Sequence, residues 1–215
     1  MMKIEQFVCN PFSENTYVVT DEETLQCAII DPGMCSSLEW AKVRDYIRNN
    51  NTVQHILLTH SHVDHLLGAG YCTQEYGVEV SGSMTDQTHL PDARWQAGAF
   101  GVDCELRPAA ITRNLAEGDT FLLGNLEVQV IDCPGHSFAG LCYYIPREGC
   151  LFTGDVLFCG SVGRSDFGEF MGCNGRLLAE GIVQKLFALP AETLVYPGHG
   201  PSTSIGYERD NNFYL

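Results

Sequence analysis

Residues 59–65 read Thr-His-Ser-His-Val-Asp-His and place three imidazoles and one carboxylate within six positions. The run directly follows an apolar segment with the character of a β-strand, 53–58. In an extended chain, the side chains of residues two apart point the same way, so those of His60 and His62 are expected on one side. Asp64 and His65 are adjacent, and their side chains must diverge from that direction. Imidazole and carboxylate suit zinc, iron or manganese. The run therefore predicts a metal site at a strand end, with donors divergent enough to serve two ions rather than one.

Three later segments share one pattern, in which an apolar run ends, a glycine follows, and the next residue is His or Asp. The residues that follow the glycine are His136, Asp155 and His199. Glycine allows a tight turn and a close approach of the backbone to a site. Five of the seven histidines lie in these positions or in the 59–65 run, which leaves His55 and His89. His55 lies inside a predicted strand, and we interpret it as structural.

These motifs together resemble the metallo-β-lactamase superfamily. The resemblance is carried by His60-x-His62-x-Asp64-His65 and by the later donors His136, Asp155 and His199. Within the superfamily, stretches 154–167 and 197–203 resemble the glyoxalase II-like (hydroxyacylglutathione hydrolase-like) hydrolases. The match covers nearly the whole chain. It implies an α/β fold, the αβ/βα four-layer sandwich with two mixed β-sheets and helices outside, and a single hydrolase domain over 1–215 without a separate C-terminal helical domain.

The resemblance also implies how the donors divide between two divalent metal ions. One ion would be held by His60, His62 and His136, and the other by Asp64, His65 and His199, with Asp155 as the bridge. Zinc is the expected metal, with iron and manganese as alternatives. A water between the ions would be largely hydroxide and would act as nucleophile, because metal binding lowers its pKa to about 7. Asp64, which could orient that hydroxide, and Asp155 are the catalytic candidates.

A thioester suits such a site, because a thiolate whose conjugate acid has a pKa of about 8.5 leaves without a strong general acid. The predicted function is hydrolysis of a thioester of the hydroxyacylglutathione type. The alternative is an oxidoreductase like the mononuclear-iron persulfide dioxygenases, which use a subset of the same ligands. A non-catalytic metal-binding protein is a third class, and the intact ligand set argues against it. A β-lactamase is disfavoured, because most zinc β-lactamases carry a cysteine at the position of Asp155.

Arg164 is the candidate substrate-binding residue, since it is one of twelve basic residues and follows Asp155 by nine positions in the glycine-rich stretch 160–175. A salt bridge to Asp166 is the other interpretation. The glyoxalase II enzymes that the chain resembles grip the glutathione carboxylates with basic residues of a C-terminal helical domain. Only Arg209 is basic after His199, so we expect weak discrimination in favour of glutathione thioesters.

The net charge of −15 disfavours nucleic acid and anionic membranes as partners, because phosphate binding requires a basic surface. A small-molecule substrate fits better, and the oligomeric state stays open. The ten cysteines contain no Cys-x-x-Cys pair, which favours reduced, mostly buried thiols in a cytoplasmic protein. Residues 1–5 lack a hydrophobic signal core, and no stretch approaches a membrane span. Cys133 and Cys159 are near donors in sequence, but we do not expect them to bind metal.

The order of patterns along the chain predicts two strand-rich halves, 1–81 and 120–199. Predicted strands are 3–9, 16–20, 26–30, 53–58, 78–81 and 193–196, with four antiparallel strands between 120 and 155. Helices are predicted after Ser36 and within 66–76, 92–100, 177–188 and 205–215. The first of them is predicted to end in the asparagine run 49–51. The least regular pattern is that of 84–106, where Gly98 and Gly101 weaken the helical character.

Overall fold

The computed structural model describes residues 1–48 and 51–215. Its first β-sheet is built from Met2–Cys9 (β1), Glu14–Asp21 (β2), Gln26–Ile30 (β3), Thr52–Leu57 (β4), Val80–Gly82 (β5) and Ile111–Asn114 (β6). These strands lie side by side in chain order. The first three are antiparallel, and β3 to β6 are parallel. The sheet is therefore mixed.

Parallel neighbours cannot be joined by a tight turn and need a crossover, which helices supply here. They are Ser37–Ile47 (α1), Val63–Leu66 (α2), Ala69–Tyr76 (α3), Met84–His89 (α4) and Ala93–Phe100 (α5). The predicted cap of α1 is confirmed, since Ser36 Oγ accepts from Glu39 N at 3.2 Å. Residues 49–50, in the predicted end of this helix, lie outside the described residues.

The second half of the chain contains Thr120–Leu123 (β7), Leu126–Asp132 (β8), Leu141–Ile145 (β9), Cys150–Gly154 (β10), Leu157–Phe158 (β11), Ser161–Val162 (β12), Leu194–Pro197 (β13) and Thr203–Ser204 (β14). The second sheet has the order β14-β13-β10-β9-β8-β7, and β11 with β12 forms a separate hairpin. The predicted antiparallel run is confirmed in β7 to β10, whereas β13 lies parallel to β10. Helix Gly175–Gly181 (α6), continued by a π-helical segment Ile182–Leu186, makes that crossover, and Ile205–Asn211 (α7) follows β14.

Three apolar layers hold these elements together. The layer between the sheets joins side chains of the first sheet, such as Tyr17 and Leu57, to side chains of the second, such as Tyr143 and Phe152. The outer face of the first sheet packs against α1 and α3. The outer face of the second sheet packs against α6, the π-helical segment and α7. The predicted four-layer sandwich is therefore confirmed.

Several boundaries differ from the sequence prediction for local reasons. The predicted helix 66–76 is divided at Gly68, whose backbone N–H donates to Pro32 O at 2.8 Å. Helix α5 ends at Gly101, which has a φ of 69°, so this glycine terminates the helix rather than weakening it. The stretch 160–175 contains β12 and a 3₁₀ turn at Glu169–Met171 as well as loop. Within the described residues, no helix has the length and apolar character needed to cross a bilayer.

The two halves are also tied together by hydrogen bonds near the predicted site. The side chain of Asn15, on β2, donates to Pro197 O and Gly200 O at 2.9 Å each. The backbone N–H of Asn15 donates to Gly198 O at 2.7 Å. The loop after β13 is therefore fixed to a strand that lies early in the chain.

Candidate metal centre

All seven predicted donor residues lie at one edge of the two sheets. The run 59–65 follows β4, and the three later donors follow β8, β10 and β13. The sandwich brings these four loops together because β4, β8, β10 and β13 all end at this edge. The donors form two groups, with Asp155 between them.

The first donor group consists of three buried imidazoles. His62 Nδ1 lies 3.1 Å from His60 Nε2 and 2.8 Å from His136 Nε2. Three neutral nitrogens at this separation leave one position between them for a cation. The structure thus brings together the three residues that the resemblance assigns to one ion.

The second donor group combines a carboxylate with two imidazoles. Asp64 Oδ2 lies 3.2 Å from His199 Nε2 and 3.6 Å from His65 Nε2. Asp64 and His65 both belong to α2 but diverge, as the sequence predicts for adjacent residues. The group again gathers the residues that the resemblance assigns to one ion.

Asp155 lies between the groups and contacts both. Its Oδ2 is 3.4 Å from His136 Nε2 in the first group and 3.5 Å from His199 Nε2 in the second, and its Oδ1 is 3.3 Å from His65 Nε2. Two glycines make room for this arrangement. A Cβ at Gly198 would collide with Asp155 Oδ1, and Gly154 has a φ of 48° with Thr59 packed against its Cα.

The orientation of the imidazoles fits a metal centre. Four of the five have Nδ1 at an acceptor outside the donor groups: His60 at Thr59 Oγ1 (3.1 Å), His65 at Asp31 Oδ2 (3.1 Å), His136 at Arg164 O (2.7 Å) and His199 at Phe12 O (3.1 Å). When Nδ1–H donates to each of these acceptors, the proton stays on Nδ1, and Nε2 faces the centre as the atom that can bind a metal.

Two buried polar atoms without a hydrogen-bond partner also indicate a metal centre. His65 Nε2 and Asp155 Oδ1 are buried and have no hydrogen-bond partner, although buried polar atoms in proteins are usually paired. A divalent cation is the species that accepts lone pairs from nitrogen and oxygen together. The donor set and its orientation therefore fit divalent metal ions.

The two groups differ in their electrostatics. Burial, with repulsion among neighbouring imidazoles, lowers the pKa of His60 well below its ordinary value and that of His62 to about 3. In the second group burial also acts to lower the pKa of His65, but Asp64, Asp155 and Asp31 outweigh it and raise that pKa well above its ordinary value. The first group is therefore neutral, whereas the second carries the carboxylates that balance cationic charge.

Asp31 supports both groups and was not singled out by the sequence analysis. Its carboxylate accepts from Thr59 N and Thr59 Oγ1 at 2.7 Å each and from His65 Nδ1 at 3.1 Å. It thus orients His65 directly and His60 through Thr59. A signal for it exists in the sequence, because Asp31 follows the apolar strand β3 just as the donors follow their strands.

Two buried residues from the irregular stretch 84–106 support the donor loops from behind. Asp86 on α4 accepts from Ser61 N at 3.0 Å and from Ala139 N at 2.8 Å, so it joins the first histidine loop to the loop that carries His136. Gln96 on α5 accepts from Val63 N at 3.0 Å and donates to Ser61 O at 3.1 Å. Burial raises the pKa of Asp86 to about 7. No motif in the sequence marks either residue.

A cavity of about 330 Å³ opens over the donors. This volume is in the range of small-molecule sites. Besides donor residues, its lining contains Val63, Arg164 and four phenylalanines, namely Phe12, Phe100, Phe158 and Phe167. No pattern in the sequence predicts that these phenylalanines line one cavity, because they come from four separate segments.

Arg164 lines the cavity but already has partners. Its Nε and Nη2 donate to the two carboxylate oxygens of Asp166 at 2.9 Å each, and its guanidinium lies 4.4 Å from the centroid of the Phe167 ring. The predicted salt bridge is therefore present, and contact with a substrate stays a prediction. The Arg164 carbonyl has a separate role, since it holds His136 Nδ1.

The remaining candidates lie away from the donors. His55 contacts Leu122 O through Nε2 at 2.8 Å, which confirms its structural role. His89 contacts Thr85 O at 2.8 Å and does not line the cavity. All ten cysteines are free thiols. In the part of the chain that the structure describes, no cysteine belongs to the donor groups, and this includes Cys133 and Cys159.

Similar proteins share the whole extent of the chain. The chain is 33% identical over 218 residues to the probable metallo-hydrolase YqgX of Bacillus subtilis, covering 100% of this chain and 98% of that protein. It is 30% identical over 220 residues to the hydroxyacylglutathione hydrolase GloC of Haemophilus influenzae, covering 100% and 98%.

Solved structures also match the chain over nearly its whole length. The BLEG-1 B3 metallo-beta-lactamase superposes with a TM-score of 0.87 at 30% identity, covering 99% of both chains. TTHA1623 in a di-iron-bound form superposes with a TM-score of 0.84 at 33% identity, covering 98% of this chain and 100% of that one. The family model of the metallo-beta-lactamase superfamily matches residues 9–199, from before β2 to the last donor. With its four-layer sandwich and its histidine and aspartate donors at the sheet edge, the chain belongs to the metallo-β-lactamase superfamily.

Proposed function

We propose that the protein is a dinuclear metal-dependent hydrolase that cleaves a thioester of the hydroxyacylglutathione type. The observation that carries the proposal is the position of Asp155, whose carboxylate contacts histidines of both donor groups. The first ion would be held by His60, His62 and His136, the second by Asp64, His65 and His199, and Asp155 would be shared. Zinc is the proposed metal. The proposal treats residues 1–215 as one hydrolase domain that acts on a small molecule in the cytoplasm.

Bound metal ions would supply Lewis acidity and lower the pKa of a water molecule to about 7. The side chains of the chain itself would orient the reactants. Asp64 lines the cavity, and His65 and His199 outweigh the effect of its burial and lower the pKa of its carboxyl group. Its carboxylate is therefore ionised and can accept a hydrogen bond from an attacking water.

The lining also favours a good leaving group. Asp155, like Asp64, has its pKa lowered by neighbouring imidazoles despite burial. Among the described residues that line the cavity, no other carboxyl group is present, so no neutral carboxylic acid is available to protonate a leaving nitrogen. A thiolate, with a conjugate-acid pKa of about 8.5, needs no such acid.

The relatives support this reaction class and keep an alternative open. GloC is named as a hydroxyacylglutathione hydrolase, which favours a thioester. TTHA1623 holds two irons, so iron is an alternative metal, as is manganese. A persulfide dioxygenase-like oxidoreductase with one iron is the second candidate function, and lactam hydrolysis is a third outcome because the chain is similar to the BLEG-1 B3 metallo-beta-lactamase.

Metal analysis together with a substrate panel tests the proposal. Protein saturated with zinc, manganese or iron should contain two ions per chain by elemental analysis and should hydrolyse S-lactoylglutathione. Glutathione persulfide with an oxygen electrode and a chromogenic cephalosporin complete the panel. One ion per chain would contradict the dinuclear centre. Oxygen consumption with the persulfide, or turnover of the lactam alone, would replace the thioesterase by the corresponding alternative.

A further inference from the structure

Two phenylalanines stand beside the first donor group. Phe100 lies at the end of α5, and Phe167 lies in the loop after β12, with their ring centroids 5.5 Å apart. The Phe167 ring is 6.1 Å from that of His62 and 6.3 Å from that of His136. Phe100 remains 37% exposed although it faces the cavity. An aromatic surface therefore begins 6.1 Å from the ring of a donor histidine and is partly exposed to solvent.

The opposite side of the cavity is apolar as well. The Phe158 ring lies 6.1 Å from that of His199, and Phe12 contributes an exposed ring next to the carbonyl that holds His199. Ligand sites combine such apolar walls with a few polar groups that fix orientation. The donors are those polar groups here, so the phenylalanines are available to a substrate.

Apart from the metal ions of the proposed centre, the cavity lining offers little charge to a substituent of the substrate. Among the described lining residues, Arg164 supplies the one cation other than imidazole, and Asp166 already neutralises it. Asp64 and Asp155 face the same space, but in the proposed function both bind metal. A group recognised here by the protein side chains must therefore be recognised by apolar contact rather than by its charge.

We propose that Phe100 and Phe167 form a subsite for an aryl group carried on the acyl carbon next to the thioester carbonyl. The proposal rests on the proposed function, since a carbonyl positioned at the donors leaves its nearest substituent beside Phe167. In a glutathione thioester the nearest atoms on the thiol side belong to a polar peptide, so the acyl side is the one that suits two phenyl rings. The substrate class is thus an aromatic 2-hydroxyacyl thioester.

A pair of thioesters that differ only in this group tests the subsite. S-mandeloylglutathione carries a phenyl group where S-lactoylglutathione carries a methyl group. We expect the zinc-loaded enzyme to favour the mandeloyl thioester about tenfold in kcat/KM, as burial of a phenyl group implies. In Phe100→Ala this ratio should fall toward one, and in Phe100→Leu, which keeps apolar area but loses the ring, it should fall part of the way.

Phe170→Ala is the matched control. Phe170 is an exposed phenylalanine in the same loop as Phe167, but it packs against Trp95 and does not line the cavity. Its variant should keep the wild-type ratio. An unchanged ratio in both Phe100 variants, or an equal loss in Phe170→Ala, would overturn the subsite.

Binding of the product acids separates this proposal from the proposed function. Calorimetry on the zinc-loaded protein should show mandelate binding more tightly than lactate, with the difference lost in Phe100→Ala. Thioester hydrolysis without an aryl preference would overturn the subsite and leave the thioesterase. An aryl preference in binding, without hydrolysis of either thioester, would keep the subsite and overturn the thioesterase. Equal binding of the two acids without hydrolysis would overturn both.

Discussion

The cavity has two walls that are built in opposite ways. The inner wall is formed by the metal donors, most of which are buried, and Asp31, Asp86 and Gln96 hold the donor loops from behind. The outer wall comprises Phe12, Phe100, Phe158 and Phe167, which come from loops, the end of α5 and the short strand β11 and stay partly exposed. Residues of the inner wall have partners that fix their orientation, whereas those of the outer wall touch mainly other rings.

In the proposed function the two walls therefore have different tasks, since the inner wall binds metal and the outer wall contacts substrate. Hydrogen bonds from residues behind the donors fix the tautomer and direction of each ligand. The donors are therefore held in place before a metal binds. An outer wall of half-exposed rings can be exchanged without disturbing that network. We therefore expect changes in the inner wall to alter metal content and stability, and changes in the outer wall to alter substrate preference alone.

The largest expected effect in the inner wall is that of removing the shared carboxylate. Asp155→Ala should lose more metal than His60→Ala, because Asp155 contacts both donor groups while His60 belongs to one. The Asp155 variant should also show no measurable turnover. Elemental analysis after dialysis against buffered zinc measures this, and retention of both ions in Asp155→Ala would contradict the assignment of Asp155.

Removing support from behind the donors should have an intermediate effect. In Asp31→Asn the acceptor for His65 Nδ1 and Thr59 is weakened, so zinc affinity should fall about 10- to 100-fold, as for other partners of metal ligands. Asp21→Asn is the matched control, since Asp21 is equally buried on β2 but holds a distant turn through Asn125 N. Competition with a chelator measures both affinities. Equal affinities would show that Asp31 does not support the donors.

The raised pKa of Asp86 predicts a pH dependence. Its ordinary value is 3.8, and burial raises the pKa in the folded state to about 7. The folded protein therefore keeps a proton that the unfolded chain releases between these values, and the stability that this proton provides is lost as pH rises through about 7. Asp86 should lower the free energy of unfolding by about 1.4 kcal/mol per pH unit in this window.

The variant Asp86→Asn removes that titration. Urea unfolding of metal-free wild-type and variant protein at pH 5, 6 and 7 should give a flatter pH profile for the variant. Zinc is left out of both samples because Asp86 joins two donor loops, so the difference between the profiles reports the titration of Asp86. Parallel profiles would show that Asp86 is already ionised in the folded protein.

The smallest expected effect is that of the thiols. Cys133→Ser and Cys159→Ser should leave metal content unchanged, because neither sulfur belongs to a donor group. The pair also samples the two environments, since Cys133 is buried and Cys159 is exposed. Loss of metal in either variant would add a ligand that the geometry does not show.

The sequence predicts the inner wall better than the outer wall for a physical reason. Each donor lies in a segment that begins at the end of a strand, so a local motif reports both its chemistry and its place at the sheet edge. The supports Asp86 and Gln96 act through backbone groups of distant loops, and single polar residues on short helices carry no local signal. The phenylalanines become neighbours only after four segments fold together, which no spacing within a segment can reveal.

Element boundaries show the same limit. The periodicity that predicts a helix over 66–76 is real, but a contact from Pro32 to Gly68 interrupts it. Conversely, Gly101 looks like a defect in the sequence and in the fold is a left-handed residue that ends α5. Most strands of the two sheets, by contrast, were predicted from their apolar runs, whereas β6, β11, β12 and β14 were not.

The hydrogen bonds between Asn15 and the loop at 197–200 also have a consequence for synthesis on the ribosome. Chains emerge with the N-terminal residues first and fold as they emerge. Strand β2 and the 59–65 run are therefore exposed to the cell long before His199 leaves the exit tunnel. Until then Asn15 has no carbonyl from that loop to hold, and the second donor group lacks one imidazole. The second donor group is thus completed only after His199 has left the ribosome, so the second ion can bind with its full set of ligands only from that point on.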